Sequence, residues 1–310
     1  MSDFKLYFAK INLVSHISEV YKDNNVMNQI LAKVILNFKN DLQYERIDTK
    51  IKDNKEIETY RATYRLDNIE KLDGKYGFSI IGKMYKDSYI YIQRQDKNTE
   101  ALYKTPVDNT EVIFFYYDVY REMVMFNITH RFRQGEFPIA FKEILNSSVK
   151  EYGYIFDVEL FKKSISLDDI KEELRKIGRI EQIKIDIKLP NPDSNLLKKI
   201  SEDPEEKIER FRKARLSSKS IILTSTTEEG INIDSELVDK ELQEVSSIHS
   251  QISSEDAIKN GYASVEAEGA NNMRYTTKDS KSVTMDIEEF NRNLEYFKEN
   301  GNKFIISVIR

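Results

Sequence analysis

The sequence predicts an α+β protein: an antiparallel, β-rich N-terminal domain with one packed helix, then a mixed α/β domain and a C-terminal α+β segment. Three observations carry this reading. Residues 60–67, 78–85, 88–95 and 112–117 are rich in the Tyr, Ile and Phe that suit a pleated sheet. Residues 134–192 alternate helix, strand, helix and strand, with punctuation at each junction. The composition, 33% charged and 40% hydrophobic over 310 residues, is that of an ordinary globular chain able to bury a core.

The opening strand is residues 4–14, where Leu6, Phe8 and Ile11 are set against Lys5, Lys10 and Asn12. Val26, Met27, Ile30, Leu31, Val34, Ile35 and Phe38 then recur at helical spacing and mark an amphipathic helix. A polar stretch over 40–58 reads as a separator. In the β-rich part that follows, Asp73-Gly74 and Lys86-Asp87 read as turns, and 122–128 as a further strand.

In the centre, Pro138 is tolerated in a first helical turn, and Phe141, Ile144, Leu145 and Val149 follow at helical spacing. Beyond Gly153, Phe156, Val158 and Leu160 alternate with Asp157 and Glu159, the pattern of a half-buried strand. Ser166 and Asp169 form a near capping box for a helix whose apolar face is Leu167, Ile170, Leu174 and Ile177, with Gly178 at its end. Ile183, Ile185, Ile187 and Leu189 then alternate with charged residues as far as Pro190.

Beyond Pro192 a helix capped by Asp193 or Ser194 is expected to reach about Leu216, with Pro204 as a point of interruption within it. A strand over 221–226 follows, then a polar helix over 235–251. Strands over 261–268 and 282–285 flank a polar AEGANN turn. A helix over 286–300 ends at Gly301, and an apolar strand over 304–309 closes the chain. The expected domains are 1–130, 131–217 and 218–310.

Composition excludes several function classes. No apolar run approaches the ~18 residues of a membrane span, and the first residues lack a signal peptide's apolar core, so a cytoplasmic protein without membrane contact is expected. The absence of cysteine removes disulfides, thiolate nucleophiles and thiolate-ligated metals. His16, His130 and His249 lack metal-ligand spacing, and no Gly-rich phosphate loop occurs, so no cofactor is expected. The net charge of −5 argues against a wholly basic nucleic-acid binder and leaves room for a local basic face.

Two such basic faces stand out. In 207–219, Lys207, Arg210, Arg212, Lys213, Arg215 and Lys219 face one acid, Glu209, and part of the set can share one helical side as a row of phosphate contacts. A mixed-charge solvated helix accounts for the same residues, since Glu202, Asp203, Glu205 and Glu206 lie just upstream. In the second face, Arg131 and Arg133 flank Phe132, with Lys142 nearby. This arrangement suits stacking and clamping of nucleic acid, or equally a hinge with snorkelling arginines.

The third candidate is catalytic. Asp186-Ile187-Lys188 matches the carboxylate-x-lysine half of a restriction-type nuclease, for which Asp157 would supply the partner carboxylate. The bland reading is surface charge on the solvent face of two strands.

The order of elements over residues 1–220 resembles a group of uncharacterised bacterial antiphage-island proteins. The segments THRFRQGEFPIAFKEILNSS and IKIDIKLPNPDSNLLKK carry the resemblance, above all PNPD after an alternating Ile strand. It extends more distantly to the RexA exclusion protein and the DNA-binding B subunit of the Kiwa defence system. The resemblance implies a homodimer that binds DNA through the basic positions around Arg131–Arg133 and Arg210–Lys219. Such a protein would act without catalysis as a sensor or effector of abortive infection, with a second defence protein or a phage protein as further partner. Two alternatives stay open: a metal-dependent nuclease using Asp157, Asp186 and Lys188, and a protein-interaction or assembly module without nucleic-acid binding.

Overall fold

The computed structural model describes residues 4–52, 55–74, 77–95, 102–191, 206–246, 252–287 and 293–309. These form an α+β fold in two compact units, each assembled from separated stretches of chain. The first unit comprises Met1–Tyr7, Lys33–Lys150 and Thr284–Arg310; the second comprises Phe8–Ala32 and Glu151–Val283. The sequence-based division at 130 and 217 cuts the chain differently.

The first unit is built on an antiparallel sheet. Its strands are β1 (Phe4–Leu13), of which Phe4–Tyr7 belong to this unit, β2 (Gln43–Lys52), β3 (Lys55–Gly74), β4 (Gly77–Gln95), β5 (Leu102–Asp118), β6 (Met123–Asn127) and β12 (Thr284–Ile287), in the spatial order β12-β1-β6-β5-β4-β3-β2. Helix α2 (Asn24–Asn37), which enters this unit at Lys33, leads into Phe38, and α3 (Glu136–Val149) follows β6. Successive side chains of a strand point to opposite faces, and β5 uses both. Phe115 and Tyr117 meet Phe38 and Phe141 on one face, whereas Phe114 stacks on Phe297 of α8 (Leu294–Ile309) on the other.

Several expectations change in this unit. The polar stretch 40–58 is β2 and the start of β3. Its charges are tolerated because β2 is an edge strand with solvent along one side. Lys86-Asp87 is no turn but the middle of β4. Lys86 is 5% exposed, and its ammonium donates to the Arg131 carbonyl at 2.6 Å and to Glu136 Oε1 at 2.8 Å. The apolar run 304–309 is not a strand but the last turns of α8, which passes through Gly301. A Cβ at Gly301 would stand 2.3 Å from the Tyr116 ring, so this glycine marks a close approach rather than a helix stop. The expected helix start at 286 is strand β12 instead, and 288–292 lie outside the described residues.

In the second unit, Ala9–Leu13 of β1 pair antiparallel with β7 (Phe156–Leu160). The strands β8 (Ile180–Lys188), β9 (Ser218–Thr224), β10 (Ala263–Gly269) and β11 (Arg274–Thr276) form a second sheet, ordered β11-β10-β8-β9. One face of it, with Ile183, Ile185, Ile187 and Val265, closes a core with Ile170 and Leu174 of α4 (Leu167–Ile177). Val238 and Leu242 of α6 (Glu236–Gln243) and Ile258 of α7 (Ser254–Lys259) complete that core. The capping box at Ser166 and Asp169 is present, and Gly178 follows α4 as its cap. Of the helix expected from Asp193 or Ser194 to Leu216, the described part beyond Pro204 is α5 (Glu206–Ala214); positions 192–205 lie outside the described residues. The helix expected over 235–251 is shorter, and 247–251 also lie outside them. A short helix, α1 (Ile17–Val20), follows β1 without a sequence signal of its own.

Candidate functional site

The first basic position is a tight bend in the first unit. Thr129 Oγ1 accepts from the Phe132 N–H at 3.1 Å, and Glu136 Oε2 accepts from the Arg133 N–H at 2.9 Å. Phe132 is fully buried, its ring 5.5 Å from that of Tyr64 and 6.5 Å from that of Phe137. It therefore anchors the bend and is not a stacking platform; of the two readings the sequence left equally open, the ring's burial removes the stacking one. Arg131 and Arg133 emerge exposed on either side of it, and Arg131 Nη1 donates to Asn109 Oδ1 at 3.0 Å. Lys142 lies on α3, within 4.0 Å of Glu143.

The second position is α5 and the chain that leaves it. Ile208 and Phe211 are buried at 1% and 7% exposure, which turns Arg210 and Lys213 outward. Arg212 is ion-paired with Glu209 one turn back, and Lys219 with Glu244 at 3.2 Å. The Lys207 side chain lies outside the described residues. Arg215 holds φ 56, with its N–H on the Arg212 carbonyl at 3.0 Å and the Leu216 N–H on the Phe211 carbonyl at 2.9 Å. This is a Schellman end in which an arginine occupies the left-handed position that glycine usually takes.

The third group is only partly brought together. Lys188 Nζ donates to Asp157 Oδ2 and to Glu159 Oε1, each at 2.6 Å, so Asp157 and Lys188 do meet. Asp186 accepts instead from the Ser220 hydroxyl at 2.5 Å and pairs with Lys184 at 2.8 Å. Burial pushes the Asp186 carboxyl up, but Lys184 and Ser220 outweigh it and hold the group below the ordinary carboxylate value. Burial likewise raises the Glu159 carboxyl; Lys188 opposes this and Asp157 adds to it. Burial pulls the Lys188 ammonium down, yet Glu159 and Asp157 together keep it above an ordinary lysine.

Glu159 is the member that sequence reasoning missed, although the Asp-Val-Glu alternation on β7 places both acids on one face. Asn12, directly opposite Asp157 in the β1–β7 register, is also new: it is 2% exposed, its Nδ2 donates to the Asn260 carbonyl at 2.9 Å, and its Oδ1 has no donor. Among the described residues no three His, Asp or Glu side chains gather in a metal-binding arrangement, and no helix is long and apolar enough to cross a membrane.

A family described as a domain of unknown function, DUF4747, matches residues 32–298 of the chain. No curated protein matches it.

Proposed function

This chain belongs to the DUF4747 family, a domain of unknown function, and we propose that it is a DNA-binding protein that acts by binding rather than catalysis. The setting proposed for it is antiphage defence in the cytoplasm, as a homodimeric sensor or effector. That setting follows from the resemblance to antiphage-island proteins; the binding surface rests on the chain's own exposed cations.

The observation that carries the reading is the set of exposed cations at the end of α5, where the burial of Ile208 and Phe211 turns Arg210 and Lys213 outward and Arg215 follows exposed in the left-handed C-terminal position. Arg210, Lys213 and Arg215 then form an exposed cationic end to α5, suited to phosphate oxygens as non-specific anchors. Arg131 and Arg133 supply a second such face in the other unit.

The test is a gel shift of double-stranded DNA with the full chain across a salt series. Three phosphate contacts from α5 alone predict a log–log slope against salt of about −2.7, since each contributes about −0.9, and contacts from Arg131 and Arg133 steepen it further. The triple reversal Arg210→Glu, Lys213→Glu and Arg215→Glu is expected to abolish the shift at low salt. A shift that ignores both salt and the reversal would remove α5 as the binding surface.

A further inference from the structure

We propose that the outer edge of β2 is where a second copy of this chain docks, the two β2 strands pairing antiparallel about a two-fold axis at Ile47. This rests on the homodimeric part of the reading above and not on DNA binding. The strand lies wholly within the first unit.

β2 ends the order of its sheet, and among the described residues no strand lies beyond it. Its inner edge is taken. The carbonyl of Leu42, just ahead of the strand, accepts from the Leu66 N–H at 2.9 Å, and the Asp48 carbonyl accepts from the Thr59 hydroxyl at 3.0 Å. Both positions are even-numbered, and the backbone groups of successive residues in an antiparallel strand point to opposite edges. Gln43, Glu45, Ile47, Thr49 and Ile51 therefore carry their N–H and C=O groups on the outer edge. All five side chains are exposed, Ile47 at 44% and Ile51 at 82%. Such a row of edge groups is a template for one more strand.

Charge complementarity identifies the occupant. A two-fold axis through the sheet keeps each side chain on its own face, so odd positions oppose odd ones and even oppose even. With the axis at Ile47, that residue meets its own copy, Arg46 faces the partner's Asp48, and Asp48 faces the partner's Arg46. Glu45 then lies opposite the partner's Thr49 and Tyr44 opposite the partner's Lys50, so no like charges meet between Gln43 and Ile51. Arg46 and Asp48 already pair along the strand at 2.8 Å, with 31% and 43% side-chain exposure. An exposed pair is weak alone; the axis sets it beside its inverted copy, so that charges alternate around a group of four. The neighbouring registers fail. One centred on Arg46 opposes two arginines, and one centred on Asp48 opposes two aspartates and sets Arg46 against the partner's Lys50. A strand complementary to itself in one register fits a second copy of the chain.

The test is the solution mass of the purified full chain without nucleic acid, read by light scattering across a concentration series. A dimer is expected. Ile47→Lys sets two ammonium groups at the axis, and Arg46→Asp opposes aspartates on both sides of it; each is expected to give a monomer. Adding Asp48→Arg to Arg46→Asp restores opposite charges and should restore the dimer, which a loss of folding could not do. Far-ultraviolet circular dichroism identifies any variant that has not folded. A monomer at every concentration would overturn this interface together with the homodimeric reading. A dimer indifferent to Ile47→Lys and Arg46→Asp, or a folded double variant that stays monomeric, would overturn the interface alone. Because no DNA is present, each result leaves the α5 reading to the gel shift.

Discussion

Asn191 closes its side-chain amide on the backbone of β1 like one more rung of a ladder. Its Oδ1 accepts from the Leu13 N–H at 2.9 Å, and its Nδ2 donates to the Ile11 carbonyl at 3.2 Å. Asn191 is 5% exposed, and the preceding Pro190 carbonyl accepts from the Tyr21 hydroxyl at 2.7 Å. The Pro-Asn pair that stands out after the Ile-rich strand thus plays a structural part, tethering the end of β8 to the first strand. Asn191→Ala strips both backbone groups of their partners at about 1–3 kcal/mol each when buried. The expected loss in urea unfolding is about 2–6 kcal/mol, and Asn191→Asp, which keeps only the acceptor, should do no better. A loss under about 0.5 kcal/mol, the range of an ordinary surface change, would show that water replaces the amide.

A second prediction concerns Gly301. In an exposed helix, alanine is better than glycine by about 1 kcal/mol. Here the added Cβ meets the Tyr116 ring at 2.3 Å, and overpacking of a tight core costs about 1–3 kcal/mol. Gly301→Ala should therefore lower the melting temperature despite its helix propensity. The penalty should shrink in a Tyr116→Leu background, where the ring is gone. An increase in melting temperature on Gly301→Ala would mean that α8 shifts away from the sheet at no cost.

Arg215 separates stability from binding in one substitution. Arg215→Gly relieves a left-handed arginine and should stabilise the chain by up to about 1 kcal/mol. The same change removes a cation from the end of α5 and should weaken the DNA shift while making its salt dependence shallower by about one contact. A variant that is more stable and binds as well as the parent would show that Arg215 does not contribute to the binding surface.

What the sequence discloses of this fold is mostly what is local. Ser166 and Asp169 are three residues apart and cap their own helix, so the box is readable in advance. Lys86 is not: its partner Glu136 lies fifty residues further on, and a charge inside a strand looks like a turn until that partner is placed. The run 304–309 fits a strand or a buried helix equally well by its apolar pattern, and in the fold it continues the helix that passes through Gly301. Phe132 illustrates the same limit at the candidate site. Two flanking arginines suggest an exposed ring, whereas Tyr64 and Phe137, brought in from elsewhere, bury it. Asp157 and Lys188 are visible through strand alternation. Asn12 is not, because its place beside them depends on the long-range register of β1 on β7.

The Lys188 centre makes a prediction about pH. Its ammonium is held above the ordinary lysine value, so its contribution to stability is fully present below that value and is lost as pH rises through the higher folded value. Glu159 is also raised, which has the same sense: protonating it favours the folded chain, and that gain disappears as pH rises. Removing the lysine leaves two acids facing each other. Breaking a fully buried pair costs about 3–5 kcal/mol, and with these side chains about a quarter exposed the expected cost of Lys188→Met at neutral pH is nearer 2–3 kcal/mol. In that variant the two carboxyls can share a proton, so its stability should recover as pH falls from 7 towards 5, while the wild type changes less. Urea unfolding of both proteins across that range reads the difference directly. A gap that stays constant from pH 7 to 5 would show that Asp157 and Glu159 do not interact once Lys188 is gone.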